Sequence, residues 1–329
     1  MQARFEGTGA LKSSGKLERI RETCTWQPAA SNQNMPKPLR TPLFVLICAA
    51  SIGVGWRPLV ETIHLAWTDD AYTHILLILP LSVALIYLDS RALQINHTPS
   101  ARLGLAFFLL ATALGLIAWR GIASGPDHVR LSLSILALVI CWFGAIVFCF
   151  GIKTVQAFLF PLCFLFLIVP IPDFALTRIV EFLQYQSAFA ARVLFRLANV
   201  PVIQDGIVIS IPGLDLEVAA ECSSIRSSLI LLVTTALMAH LFLRSWWRKA
   251  LLIAAAIPLS VVKNGLRIFT IAELGTRVDR GFLNGKLHHN GGILFWALAV
   301  LAMLTLLWML RNTERPTGGR PDTAVAFRN

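Results

Sequence analysis

A cysteine motif stands directly before one of the apolar runs in the second half of the chain. In AECSSIRSS, Cys222 lies between an acidic residue and Arg226, and the apolar run extends from Leu229 to Leu243. At the start of a helix, the unpaired N–H groups and the positive end of the dipole favour a thiolate, and Arg226, one turn on, acts in the same direction. The motif therefore predicts a nucleophile. The alternative interpretation is a small hydrophobic residue at a membrane boundary.

An arginine ends the next apolar run, in VVKNGLRIFTIAEL. A charge so close to apolar sequence is costly unless it faces a polar cavity or reaches the interface, so Arg267 is a functional candidate. The alternative is an arginine whose stem lies in lipid while its head reaches water. Asn264, three residues earlier on the same helical face, is placed to orient the guanidinium and is predicted to bind substrate. Lys263, four residues before Arg267 and deeper in the membrane, is a competing candidate.

A histidine pair precedes the last apolar run, in KLHHNGG. Near neutral pH, His288 or His289 can protonate the leaving group when a thiol attacks an amide. The alternative is a solvated loop tip. Adjacent histidines lack the i, i+4 spacing by which one helix presents two ligands, and no acidic cluster accompanies them, so we predict neither a metal ion nor a cofactor.

A fourth polar segment, WTDDAYTHILLILP, spans residues 67–80. It places Asp69, Asp70, Tyr72 and His74 at the start of an apolar run. We predict that Tyr72 and His74 line a substrate entrance. An interfacial aromatic belt with ordinary loop charges explains these residues equally well.

The composition indicates which elements must hold these motifs. The 329 residues are 56% hydrophobic and 14% charged, which is far more apolar than an ordinary soluble protein. The net charge of +11 comes mostly from short segments between apolar runs, where Lys and Arg set membrane topology. We therefore predict a polytopic membrane protein and no binding to nucleic acid. Most of the six cysteines lie inside apolar runs, which argues against a disulfide framework.

Eight apolar stretches are long enough to cross about 30 Å of hydrocarbon. They cover residues 42–58, 71–88, 103–120, 131–151, 154–172, 225–243, 250–270 and 291–310. Residues 174–199 carry polar side chains at helical spacing, which predicts an interfacial amphipathic helix. Residues 201–218 surround an Asp205-Gly206 pair with β-branched side chains, which predicts a small extracytoplasmic hairpin. The fold class is an all-α polytopic membrane helix bundle.

The distribution of positive charge favours cytoplasmic termini, with RSWWRK at 244–249 inside. We expect residues 1–41 to form a basic cytoplasmic tail that is disordered or precedes a true start at Met35. Residues 42–310 form the membrane-embedded domain, and 311–329 form a short cytoplasmic tail. This topology brings Cys222, Arg267 and His288 to the same outer face.

Together these motifs resemble the exosortase/archaeosortase family of integral-membrane, transpeptidase-like enzymes. AECSSIRSS is similar to the cysteine motif of the family, NGLRI to its arginine motif, HHNGG to its histidine motif and AYTHILLILP to its Tyr-x-His segment. The resemblance implies that Cys222 is the nucleophile, Arg267 a catalytic partner and His288 the third member. His288 is preferred to His289 because the family histidine usually precedes a glycine by four residues, as Gly292 allows. Ser224 departs from the glycine that is common in the family.

The resemblance also implies a function. The family processes secreted proteins whose C-terminal sorting signal has a Pro-containing motif, an apolar span and a basic tail. The expected location is the bacterial inner membrane, surrounded by lipid, with the active site facing outward and often with a link to exopolysaccharide production. The alternatives are a non-catalytic transporter or scaffold of an exopolysaccharide system, a metalloprotease, and a family member that binds sorting signals without cutting them.

Overall fold

A computed structural model describes residues 37–92, 99–120, 127–218, 225–279 and 292–314. Helix accounts for 83% of them, which confirms the all-α class. In chain order the α-helices are α1 (Lys37–Val54), α2 (Trp56–Thr68), α3 (Ile75–Ala92), α4 (Ala101–Trp119), α5 (Asp127–Phe150), α6 (Ile152–Ala157), α7 (Leu159–Phe164), α8 (Asp173–Leu197), α9 (Ile225–Phe242), α10 (Trp246–Arg277) and α11 (Gly292–Asn312). Short 3-10 helices cover Asp70–Tyr72 and Leu165–Ile168.

Six helices in the described ranges are long and apolar enough to cross a membrane, or up to eight if each of two bent helix pairs is one span. The six are the segments of α3, α4, α5, α9, α10 and α11. The predicted number of about eight spans is therefore reached when both bent pairs are counted as spans. The second pair joins the predicted span 154–172 to the helix 174–199 that was predicted to be interfacial.

The first bend replaces the predicted straight span 42–58. α1 ends at Val54, and α2 leaves it at an angle of 71°. Gly55 has no side chain to pack or cap the junction, and Pro58 lies in the first turn of α2, where its missing N–H costs no hydrogen bond. A helix therefore restarts here in a new direction.

The predicted span 154–172 is broken into short helices, and the second bend lies at its end. α6 and α7 are only six residues each, and the helix pair that meets between residues 168 and 173 is bent by 97°. Prolines explain both breaks, because Pro161 cannot donate a hydrogen bond back to α6 and Pro170 and Pro172 cannot continue a helix. α8 then covers nearly the residues predicted for the amphipathic helix.

The predicted hairpin is in fact a three-stranded antiparallel sheet, with β1 (Ile203–Asp205), β2 (Val208–Ile211) and β3 (Leu214–Glu217). The first turn begins with Gly206 at φ +60°, as expected for a type II′ hairpin. The third strand exists because Pro212-Gly213 makes a second turn, in which Gly213 has φ +83°. Ile209 and Ile211 of β2 are buried in a cluster with Phe195 of α8.

α9 and α10 run antiparallel, because only residues 243–245 connect them. The C-terminal end of α11 packs at this connection. There the Glu314 carboxylate, two residues after the helix, accepts hydrogen bonds from the backbone N–H groups of Arg244 (3.1 Å) and Ser245 (3.0 Å). α11 packs against both helices along its length. The first residues of α9 and α11 therefore lie at the same end of this three-helix group as the C-terminal end of α10.

Candidate functional site

α10, which carries the arginine motif, is long enough to cross a bilayer. Its 32 residues give a length of about 48 Å, compared with about 30 Å of hydrocarbon. Trp246, the first residue of α10, is 80% exposed, as is typical of the aromatic belt at a membrane interface. Arg267 follows Trp246 by 21 positions, or about 32 Å, and thus falls near the opposite boundary of the hydrocarbon.

The motif residues of α10 are turned inward. Asn264 is fully buried and Lys263 is 6% exposed, while Arg267 is half-buried one turn further on. The Lys263 ammonium donates a hydrogen bond to the hydroxyl of Ser227, the third residue of α9. This contact joins the arginine motif to the helix that follows the cysteine motif.

A glycine brings α8 against the same part of α10. A Cβ on Gly265 would lie 2.6 Å from the Cβ of Ala190 and 3.0 Å from the backbone nitrogen of Ala191. Small residues of this kind allow membrane helices to approach closely. α8 and the sheet packed on it thus support α10 beside Asn264.

An ion pair joins the start of α9 to the segment before α3. The Arg226 guanidinium lies 2.5 Å from the Asp70 carboxylate, and the 3-10 helix Asp70–Tyr72 packs against α9. Both side chains are at least half exposed, so the pair sets geometry more than stability.

The chain just before the cysteine motif is also fixed. The Gln184 side chain on α8 donates a hydrogen bond to the carbonyl of Val218 (2.8 Å), and the Val218 N–H donates to Ile207 (3.0 Å). Val218 itself is 2% exposed. Residues 219–224 therefore connect two anchored points, Val218 and Ile225.

A sequence model of the family described as transmembrane exosortase (Exosortase_EpsH) matches residues 66–308, which is more than half of the chain. The chain belongs to the transmembrane exosortase family. Comparisons with curated proteins and with solved structures gave no match. The matched region of this exosortase contains all four motifs that the sequence singled out.

Two of the three residues predicted to be catalytic lie outside the described residues. These are Cys222 and His288, and the competing His289 and the unusual Ser224 lie outside as well. The residues that border their motifs are described, and Ile225, Arg267 and Gly292 lie toward the same end of α9, α10 and α11. The exosortase fold thus brings the surroundings of the three motifs together, and the roles of the residues stay predictions.

Tyr72 and His74 are buried in this exosortase. Tyr72 is 1% exposed, and its hydroxyl donates a hydrogen bond to the Ile171 carbonyl (2.8 Å). His74 is 4% exposed, and its Nδ1 lies 3.2 Å from the Ala71 carbonyl oxygen. Both residues brace the interior beside the second bend, and their contact with substrate stays a prediction.

A histidine–carboxylate pair near Tyr72 was not predicted. The His128 ring, at the start of α5, contacts the Asp173 carboxylate at the start of α8. The Ser132 hydroxyl lies 2.7 Å from the Pro170 carbonyl oxygen. Together these contacts hold the bent segment against α5. The residues involved are 45 and 38 positions apart, so no local pattern indicates them.

One cavity of this exosortase lies at the other end of the bundle. Its volume is about 420 Å³, and its lining includes Phe160, Cys163, His240 and Lys249. Lys249 precedes Lys263 by 14 positions on α10, or about 21 Å. Within the described ranges, no group of three or more His, Cys, Asp or Glu side chains is arranged to hold a metal ion. The cavity is therefore distinct from the surroundings of the three motifs.

Proposed function

We propose that this exosortase is a membrane cysteine transpeptidase or peptidase that cleaves the C-terminal sorting signal of secreted proteins at the outer face of the bacterial inner membrane. The observation that supports the proposal most is the convergence of the described residues next to the three motifs. Ser227 follows Cys222 by five residues and contacts α10 one turn from Arg267, while α11 begins four residues after His288.

In the proposed reaction, the apolar helix of the substrate docks against the spans and presents its motif at the end of α10. The Cys222 thiolate forms a bond to the scissile carbonyl carbon, and the carbon–nitrogen bond then breaks to leave a thioester. His288 gives its proton to the leaving amine. An amine or water then attacks the thioester carbonyl carbon and gives a proton to His288, and the carbon–sulfur bond breaks to release the acyl product and restore the Cys222 thiolate. Arg267 stabilises the oxyanion.

Replacement of the nucleophile tests this reaction. The substrate is a secreted reporter that carries the tail of a protein encoded in the same genome and ending in a Pro-containing motif, an apolar span and a basic tail. Cys222→Ala and Cys222→Ser are expected to insert normally and to abolish cleavage. Cys163→Ala is the matched control, because Cys163 is exposed and lines the distant cavity. Cleavage of the reporter by Cys222→Ala at the normal rate would refute the mechanism.

The role of the arginine has its own test. Arg267→Lys keeps the charge and loses the planar fork of donors, so we expect cleavage to fall by about 100-fold to 1,000-fold, as for other oxyanion donors. Arg277→Lys on the same helix is the control, because Arg277 is exposed and pairs with Glu273 at 2.6 Å. Rates are measured as cleaved reporter per folded enzyme. Equal rates for the two variants would remove Arg267 from the mechanism.

A further inference from the structure

Lys263 is an unusual lysine for its surroundings. It is 6% exposed within a span, and none of the ion pairs formed among the described residues involves it. A buried ammonium loses its hydration, so such a residue is retained only where a polar or charged partner compensates. The neighbouring Arg267 adds a second positive charge one turn away on the same helix.

The described partner of Lys263 is the Ser227 hydroxyl, which accepts a hydrogen bond from the ammonium. Ser227 lies in the first turn of α9, so the positive end of the α9 dipole points to the same place. Arg226 in that turn is neutralised by Asp70, and no carboxylate among the described residues does the same for Lys263. The start of α9 thus combines the positive end of a helix dipole with the Lys263 ammonium, an arrangement that favours a developing negative charge.

We propose that Lys263 is a positioning residue of the exosortase reaction, which holds the Ser227 hydroxyl and thereby fixes the first turn of α9 that directly follows the cysteine motif. This inference rests on the proposed function. The lysine acts through Ser227, because the hydrogen bond joins the first turn of α9 to the helix that carries Arg267. A hydrogen bond to a charged group constrains geometry more strongly than one between neutral groups.

The test is a double-mutant cycle on the reporter cleavage, with Lys263→Met, Ser227→Ala and the double variant. Lys263→Met keeps most of the length of the side chain and removes the ammonium. We expect each single variant to lower the turnover number by about tenfold to a hundredfold, as for loss of a hydrogen bond to a charged group, with KM unchanged. The turnover number of the double variant is expected to equal that of the less active single variant, because both changes remove the same hydrogen bond.

Two matched controls accompany the cycle. Ser228→Ala alters the neighbouring serine, whose hydroxyl has no hydrogen-bond partner among the described residues. Lys249→Met removes a lysine at the opposite end of α10. Both are expected to cleave the reporter at the rate of the unmodified enzyme. Ser227→Ala is a small change, so it keeps the test decisive if Lys263→Met fails to fold.

The outcomes separate this inference from the proposed function. If Cys222→Ala cleaves normally, the proposed function is wrong. If Cys222→Ala is inactive while Lys263→Met, per folded molecule, turns over within twofold of the unmodified enzyme, only the positioning role is wrong. Losses that multiply in the double variant would also overturn it, since Lys263 would then act independently of Ser227.

Discussion

The contact between α8 and α10 predicts the effect of adding one methyl group at Gly265. In Gly265→Ala, the new Cβ would lie 2.6 Å from the Ala190 Cβ, compared with about 3.5–4.0 Å for an ordinary carbon–carbon contact. The two carbon atoms would thus lie about 1 Å closer than an ordinary contact allows. α8 and α10 must therefore separate, or one of them must bend, directly beside Asn264.

The cost has a matched reference in Gly115 of α4, where an added Cβ would meet no atom within 4 Å. Both substitutions gain about 1 kcal/mol of helix propensity. The difference in unfolding free energy between the two variants therefore measures the cost of the steric overlap with Ala190. Overpacking of this kind costs about 1–3 kcal/mol. We expect Gly265→Ala to be less stable than Gly115→Ala by that amount.

Thermal unfolding of the two purified variants in the same detergent measures the difference. Gly265→Ala should unfold several degrees below Gly115→Ala. It should also cleave the reporter more slowly, because Arg267 follows Gly265 by two residues. Equal unfolding temperatures would refute the close packing of α8 on α10, and with it the support assigned to α8.

Two further predictions concern contacts away from the proposed nucleophile. Tyr72→Phe leaves the partly buried Ile171 carbonyl without the Tyr72 donor and should lower the free energy of unfolding by about 1–2 kcal/mol. Tyr185→Phe, at an exposed position, should change it by less than about 0.5 kcal/mol. Glu314→Gln weakens the cap on the connection before α10 and should cost about 1 kcal/mol, compared with almost none for Glu61→Gln in a half-exposed pair. Equal denaturation midpoints within either pair would contradict these assignments.

The sequence predicts the helical class and most spans because about 20 apolar residues identify a crossing helix without knowledge of its neighbours. It does not show where such a helix breaks. Residues 154–172 have the apolar composition of a single span. The helix breaks there depend on prolines, and whether a proline breaks or only kinks a helix depends on packing that the sequence does not show. Likewise, the pattern around Asp205-Gly206 predicts the turn between β1 and β2. The third strand depends on a second turn at Pro212-Gly213, and the sequence alone is equally compatible with the end of the hairpin at these two residues.

The site was predictable to the extent that it is local. Lys263, Asn264 and Arg267 share a helical turn, so their proximity follows from spacing alone. The contact of Lys263 with Ser227 depends on how α9 and α10 rotate about their axes, which no single segment determines. The ion pair of Arg226 with Asp70 joins residues 156 positions apart. Its existence follows from the packing of the 3-10 helix on α9.

α10 fixes the distance between Lys263 and the sheet, because Lys263 lies on this helix and the sheet packs against it. From Lys263 to Ala272, where the sheet packs, the rise is about 13 Å along one helix. In the proposed reaction, a substrate held by its own apolar helix meets the end of α10 at a set distance from the hydrocarbon. The length of α10 then restricts which substrates can react. The enzyme selects a substrate by the number of residues between its apolar helix and its scissile bond, in addition to the motif.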